Sequence, residues 1–467
     1  MKKVFESGSI KELWGVTVSL AISYFSMFVM TFVDRVFLAK YSQDALQACT
    51  TAGTPAWAII FGFVTLISMS EVIIAQKNGA GLYKSLGSTP WQMVYLTIAV
   101  TPVLFFIAPW LAEMLLDPTP YNREWFVWSI YSSPAYFLLA AFTAFFVAQG
   151  KSHIIKWLAL LGNAINIGLD YVLIFGFKGI VPSFGVKGAI IATTIGTFVQ
   201  ALVLFCIFVG KNHREFFGTL QYKLDKKQLF EIIKIGSPPG VFILFEIAGW
   251  ALFYHMMASL SAIHITTANL VQSILFLYFF FGSGLEKGAT AIAGNLIGGD
   301  KKHFLKNLAK SGVMLSFGYF AFTAISLFLL CDVLIENLLN EQTVHVDINI
   351  IKQSVKSILP LLTVYILFEN FRWLLGGILI AAGDTFFMML TGFFSVWIFL
   401  ILPTYLFVYT TQAPVISAFW VWLFYSIFAT IPIYLRYKSS GWLERAKLID
   451  HDTTESVEVS NSNQEMI

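Results

Sequence analysis

Charge is what this 467-residue chain has least of: 12% of its residues are Asp, Glu, Lys or Arg, about half the share of an ordinary soluble domain. That scarcity, beside 57% apolar and 16% aromatic residues, excludes both a water-solvated globule and a disordered chain. Cysteine is scarcer still. Cys49, Cys206 and Cys331 are an odd set at unrelated spacings, which excludes a disulfide framework and a thiolate metal centre. The seven histidines contain no H-E-x-x-H pair, and the chain lacks a G-x-S-x-G elbow and a nucleotide-cradling glycine loop. Hydrolytic and ATP-driven chemistry therefore have no signature, and no cofactor is implied. The net charge of +3 is small and spread along the chain, so no nucleic acid partner is expected.

Long apolar runs fill the space left by charge. A bilayer core needs about 20 apolar residues per helix, and that ruler gives spans near 13–37, 52–76, 91–116, 124–148, 154–176, 187–210, 232–258, 266–286, 308–331, 350–381, 386–408 and 413–437. The fold class is an all-α polytopic membrane protein with twelve helices and the lipid bilayer as its solvent. The first run continues into Phe28, Val29 and Phe32 without a small-residue cleavage site, so it reads as a membrane helix and not a cleaved signal. An even number of spans places both termini on one side. Of the 30 basic residues, 22 fall on that side, seven (Arg35, Lys40, Arg123, Lys178, Lys187, Lys352, Lys356) fall opposite, and Arg372 lies within a span. By the positive-inside rule both termini are expected in the cytoplasm of a cell (inner or plasma) membrane, with the loop near Lys187 and the segment near Asp347 outside.

A basic connection from Lys211 to Lys234 divides the spans six and six. The halves resemble each other. Ala75-Gln-Lys-Asn-Gly-Ala-Gly81 after helix two aligns with Gly294-Asn-Leu-Ile-Gly-Gly-Asp300 after helix eight, so that Gly79 meets Gly298. Val147-Ala-Gln-Gly-Lys-Ser152 after helix four aligns with Ile380-Ala-Ala-Gly-Asp-Thr385 after helix ten, at a near-equal offset. Two matches in the same order, on the same side of the membrane, predict two pseudo-symmetric six-helix lobes, an architecture that holds a substrate cavity between its halves. The expected divisions are an amino-terminal lobe (1–210), a cytoplasmic linker (211–231), a carboxy-terminal lobe (232–438) and a disordered cytoplasmic tail (439–467).

Carboxylates in hydrocarbon are costly, so each is a functional candidate. Asp34 on helix one, Asp170 on helix five and Thr193 and Thr194 on helix six fall in the same outer half of the membrane, counting from the helix starts by the axial rise of an α-helix. Asn163, Asn166 and Asp170 share one helical face. These groups form an oxygen site for Na⁺ or a carboxylate pair that holds a proton; the competing reading makes the two asparagines interhelical glue and pairs Asp34 with Arg35. In the second half, Glu369 has Arg372 at i+3 as a natural ion-pair partner. Glu246 has none, and Pro238 and Pro239 before it predict a broken or kinked helix. Glu71 is expected to bridge to Lys77 at the cytoplasmic rim. Tyr136 is placed near the level of Asp34, and Tyr136, Asn163 and Arg372 are the substrate-cleft candidates.

Phe32-Val-Asp-Arg-Val-Phe-Leu-Ala39 resembles the helix-one pattern of the multidrug and toxin extrusion (MATE) family. The segments Gln149-Gly-Lys-Ser152, Gly162-Asn-Ala-Ile-Asn-Ile-Gly-Leu-Asp170 and Gly185-Val-Lys-Gly-Ala-Ile-Ile-Ala-Thr193 are similar to its helix four to six region. Ile235-Gly-Ser-Pro-Pro239, Phe245-Glu246, Glu369 and Ala382-Gly-Asp384 resemble its helix seven and ten motifs. The resemblance covers nearly all of residues 13–437. It implies a cation-coupled antiporter whose lobes rock about a central cleft to export bulky, often cationic or aromatic small molecules against Na⁺ or H⁺. It also implies an amino-lobe cation site at Asp34, Asn166, Asp170 and Thr193, with Glu246 and Glu369 as further cation-binding or protonation sites. The family's helix-one proline is absent, Val18 and Ser19 standing in its neighbourhood, and Arg35, Glu71 and Arg372 are unusual charges for it. A monomer is expected. The competing functions are a flippase of lipid-linked oligosaccharides, which would carry a basic cavity, and a polytopic acyltransferase, for which His255 is the sole histidine near a fitting position.

Overall fold

In the computed structural model, which describes residues 6–177, 179–338, 348–439, 441–444 and 446, the apolar runs become twelve helices long enough to cross a bilayer. They are α1 (Ile10–Tyr41), α2 (Gln43–Gly79), α3 (Tyr83–Leu115), α4 (Pro120–Ala148), α5 (Ser152–Phe175), α6 (Gly185–Phe208), α7 (Lys226–Leu260), α8 (Ala262–Gly298), α9 (Lys302–Leu338), α10 (Ile348–Ala381), α11 (Thr385–Tyr409) and α12 (Val415–Lys438). Polar side chains fix several starts. Ser9 Oγ accepts from the Glu12 N–H while Glu12 Oε2 accepts from the Gly8 N–H, a capping-box variant at α1. Asp225 caps α7 and Ser261 caps α8 in the same manner.

The largest departure from the expected spans is α8, which runs past Glu286 to Gly298. The Glu286-Lys287 pair, a helix end by sequence, is not one. Both charges lie inside the span, and Lys287 leaves the tally of cytoplasmic basic residues. The Pro238–Pro239 pair does not break its helix either, because α7 is continuous across both prolines.

The lobes repeat in their packing as well as in sequence. α4 packs on α2, α3 and α6, as α10 packs on α8, α9 and α12; α1 lies on α5 as α7 lies on α11. The lobes meet chiefly where α1 packs on α8, α2 on α7, and α2 on α8. The aligned glycines sit at the last of these. A Cβ on Gly79 would collide with the Asn295 carbonyl oxygen, and one on Gly298 would collide with that of Gln76. Only glycine permits this approach. Each glycine thus touches the repeat counterpart of the residue that the other touches, which puts the pseudo-twofold axis at this crossing.

The connection between the lobes lies beneath the amino lobe. Its short helix Lys211–Phe217 presses Phe217 against Phe145 and stacks His213 on Phe217, ring centroids 5.6 Å apart. The Lys151 ammonium is 3.2 Å from His213 Nε2. Burial, and then this cation, hold the His213 imidazole below its ordinary pKa. At the other end of the chain the expected disordered tail begins instead with a helical turn, Gly441–Glu444, whose Trp442 is buried and stacks on Tyr437. Residues 447–467, like Asp347, lie outside the described residues.

Candidate functional site

The amino-lobe set assembles as the helical spacing requires. Asn166 and Asp170, one turn apart on α5, face Asp34 on α1 and Thr193 on α6, and all four are buried. Asn166 Nδ2 donates to Thr193 Oγ1 at 3.1 Å. The Thr193 hydroxyl lies 3.3 Å from Asp34 Oδ2 and 3.0 Å from the Ala189 carbonyl, which share its single proton. The Asp34 and Asp170 carboxyls are within hydrogen-bonding reach of each other.

What distinguishes this cluster is the set of groups left over. Asp34 Oδ1, Asn166 Oδ1 and both Asp170 oxygens are buried with no protein donor among the described residues. Unpartnered buried oxygens cost free energy, and paired carboxylates cost more. A proton shared by the carboxyls, or a hard cation taken up by the four oxygens, removes that cost. The donor set is all oxygen and therefore fits Na⁺, the metal expected from the residue types.

The neighbours sort differently. Asn163 Nδ2 donates to Ser26 Oγ on α1, which makes it a tie between α5 and α1. Thr194 turns back to the Ile190 carbonyl at 2.6 Å. Tyr136 is buried on α4 with its ring against Trp57, centroids 5.1 Å apart, and is near enough to Asp34 to sense its charge. Arg35 turns to Cys49 and makes no ion pair with Asp34 among the described residues.

Within the carboxy lobe lies a cavity of about 440 Å³ lined by α7, α8, α10, α11 and α12 and bounded on the amino-lobe side by Thr65, Ser68 and Met69 of α2. Of the three substrate-cleft candidates, Arg372 lines it; Asn163 and Tyr136 do not. Glu246 and Glu369 face it among the aromatic side chains Trp250, Tyr254, Tyr365, Trp422 and Tyr425. Arg372 Nε reaches both Glu369 oxygens, at 3.2 and 3.0 Å, and Nη2 adds a third contact. The i+3 pair is thus formed and bidentate. Glu246 makes no ion pair among the described residues, although the Arg372 charge acts on it from across the cavity.

Two cavity residues escape a reading of the sequence, Glu286 and Lys287 on α8. Lys287 Nζ donates to Ser68 Oγ at 3.2 Å and lies 3.6 Å from Glu71 Oε2, both on α2 of the other lobe. Glu71 therefore bridges to Lys287 across the lobe seam, and not to Lys77, whose ammonium turns to the Ser85 carbonyl. A signal is present: Gly284 and Gly288 stand four apart beside the charged pair, a small-residue face made for helix packing. A Cβ at Gly284 would be 2.5 Å from the Thr17 carbonyl of α1.

Comparison with known proteins identifies the family and the fold. The MatE family model matches residues 19–172 and 241–406. A probable multidrug resistance protein NorM of Thermotoga maritima is 26% identical over 430 residues, 89% of each chain. Another NorM, of Photorhabdus laumondii, is 23% identical over 95% of this chain and 99% of its own. Among solved structures, a MATE transporter from Vibrio cholerae superposes with a TM-score of 0.81 at 16% identity over 93% of this chain and 98% of its own. A multidrug resistance MATE family transporter in its outward-facing conformation gives 0.83 at 15% identity, over 95% and 98%.

Proposed function

Because this chain belongs to the MatE family of transporters, we propose that it is a multidrug efflux antiporter. It exports bulky cationic or aromatic compounds through the central cavity and is driven by Na⁺ or H⁺ at Asp34, Asn166, Asp170 and Thr193. The observation that carries the ion half is the set of four buried oxygens without donors among the described residues. Charge carries the substrate half. Glu369 is neutralised by Arg372 and Glu71 by Lys287, which leaves Glu246 and Glu286 facing the cavity with no ion-pair partner among the described residues. Two carboxylates and an aromatic wall suit organic cations and disfavour the anionic lipid-linked oligosaccharides of a flippase.

The cycle follows from exclusivity. The ion and the exported compound must favour opposite conformations, since a ligand without preference shifts nothing. In this structure the lobes are tied together on the face that carries the chain ends, which is the cytoplasmic face in our reading, so the cleft faces outward. Rocking of residues 1–210 against 232–438 would open the opposite side.

Proteoliposomes with an imposed Na⁺ or H⁺ gradient and a fluorescent aromatic cation test the assignment. The parent should move the dye against its gradient, while Asp34→Asn and Asp170→Asn insert normally and lose driven movement. Parent-like transport by both variants at every Na⁺ concentration and pH would place the ion site elsewhere.

A further inference from the structure

The cytoplasmic ends of the lobes carry a device that the transport reading does not use. Asn295 Nδ2 on α8 donates to the carbonyl of Ala148, the last residue of α4, at 2.7 Å. Gln76 Nε2 on α2 donates to the carbonyl of Ala381, the last residue of α10, at 2.8 Å. Gln76 and Asn295 are repeat counterparts, as are Ala148 and Ala381, so the two bonds are one bond repeated about the pseudo-twofold axis. Both run from one lobe to the other. Carbonyls in the last turn of a helix have no intrahelical donor, and here each lobe supplies the donor for its partner. Asn78 Nδ2 donates to Asn295 Oδ1 at 2.5 Å and joins the pair. Gly79 and Gly298 give the amides their reach by letting the backbones touch. Each arm thus has an addition without a counterpart: Asn295 Oδ1 accepts from Asn78, and Gln76 Nε2 also reaches the carbonyl of the buried Ala446 at 3.1 Å.

We propose that Gln76 and Asn295 are positioning residues that form a pseudo-symmetric amide latch, holding the cytoplasmic gate shut in the outward-facing state of the alternating-lobe cycle on which this inference rests. The latch binds neither ion nor substrate, and it sets the equilibrium between the two facings. It is well suited to reversal, because an amide-to-carbonyl bond is modest in net strength and both groups find water when the lobes part.

Gln76→Met and Asn295→Leu keep shape and remove the donor. In a background with Cys49, Cys206 and Cys331 changed to Ser, a reporter Ala75→Cys, buried beside the latch, is exposed to a membrane-impermeant maleimide from the cytoplasmic face of inside-out vesicles. Each variant should raise the labelling rate roughly three- to tenfold, with parent-like yield and gel-filtration profile. Trp442→Ala, which unanchors the Ala446 contact without touching an amide, should raise it less than Gln76→Met. A second measurement protects against variants that misfold. A Cβ at Gly294 would lie 2.7 Å from that of Ala75, about 1 Å inside the separation of a relaxed disulfide; once α2 and α8 part by that small amount, Ala75→Cys with Gly294→Cys is within reach of cross-linking on oxidation. Export should stop when the link forms and return on reduction. Unchanged labelling in both amide variants, with export still blocked by the cross-link, would overturn the latch and leave lobe rocking standing. Undiminished export by the cross-linked protein would overturn the alternating-lobe reading itself.

Discussion

Lys287→Met is the perturbation with the largest expected consequence. The change keeps the length of the side chain and removes the cation that lies 3.6 Å from Glu71. Glu71 is 4% exposed at its side chain, and its Oε1 has no donor among the described residues. Breaking a buried ion pair from one side costs about 3–5 kcal/mol, since the remaining charge is desolvated and uncompensated. That penalty belongs to the closed seam. Once the lobes separate at α2 and α8, Glu71 meets cleft water, so the variant should favour the cytoplasm-open state by about a hundredfold or more at about 1.4 kcal/mol per decade. Glu71→Gln should act more weakly, by about 1–2 kcal/mol, because Lys287 is 23% exposed to the cavity and retains Ser68. The double variant leaves no unpaired charge and should return to within about 1 kcal/mol of the parent. Thermal unfolding in detergent and maleimide labelling at position 75 measure all four corners of this cycle. A double variant as impaired as Lys287→Met alone would refute the bridge as the source of the effect.

Glu246→Gln keeps shape and removes a cavity charge that has no ion-pair partner among the described residues; gradient-driven export should be lost while insertion is kept, and parent-like export across about pH 6 to 8 would contradict the role. Asn166→Ala removes one amide oxygen from the ion site and should weaken ion affinity by about 1.5–3 kcal/mol, less than either aspartate change, as read from the Na⁺ or H⁺ concentration for half-maximal export. His213 has a folded pKa below its unfolded value of about 6.5, so the unfolded or undocked form binds more protons. Its contribution to linker docking is complete above about pH 6.5 and is lost as pH falls below it. Limited proteolysis within 211–222 should therefore accelerate on acidification in the parent and lose that dependence in His213→Gln.

The helices, their order and the repeat are legible because the bilayer imposes them: about 20 apolar residues per crossing leaves few alternatives, and the structure departs mainly where charge interrupts a helix. Helix eight shows why. A Glu-Lys pair reads as a rim in a lipid-facing helix, but α8 packs against helices of both lobes, and the partner of Lys287 is Glu71, in the other half of the chain. No local spacing encodes that. Asn166 and Asp170 can be grouped with Asp34 because i, i+4 geometry and membrane depth are both local quantities. Glu71 draws the wrong partner from sequence for the same reason: Lys77 is near along the chain, whereas Lys287 is near only after the lobes dock. The amide latch is hidden in plain view. Its glycines align in the repeat, but that two aligned segments touch each other is a property of the axis and not of either segment.

The two lobes share a skeleton and divide their chemistry, and that division bears on coupling. In the amino lobe the surplus is oxygen, sealed from the central cavity and suited to an ion or a proton. In the carboxy lobe Arg372 is bound bidentately to Glu369 on α10, so the charge of that carboxylate is already taken up by a salt bridge. On the proposed reading, ion and substrate therefore occupy different lobes and do not compete for one carboxylate. Their exclusion must then travel through the lobe seam. The seam contains the means: Lys287 lines the substrate cavity and grips Ser68 and Glu71 on the amino lobe. A cationic substrate beside Glu246 and Glu286 would repel Lys287, which lines the same cavity. Cation arrival in the cavity thus loosens the interlobe bridge that ion binding has no direct contact with, and the antiport ratio should change when Lys287 is neutralised even where the ion site is untouched.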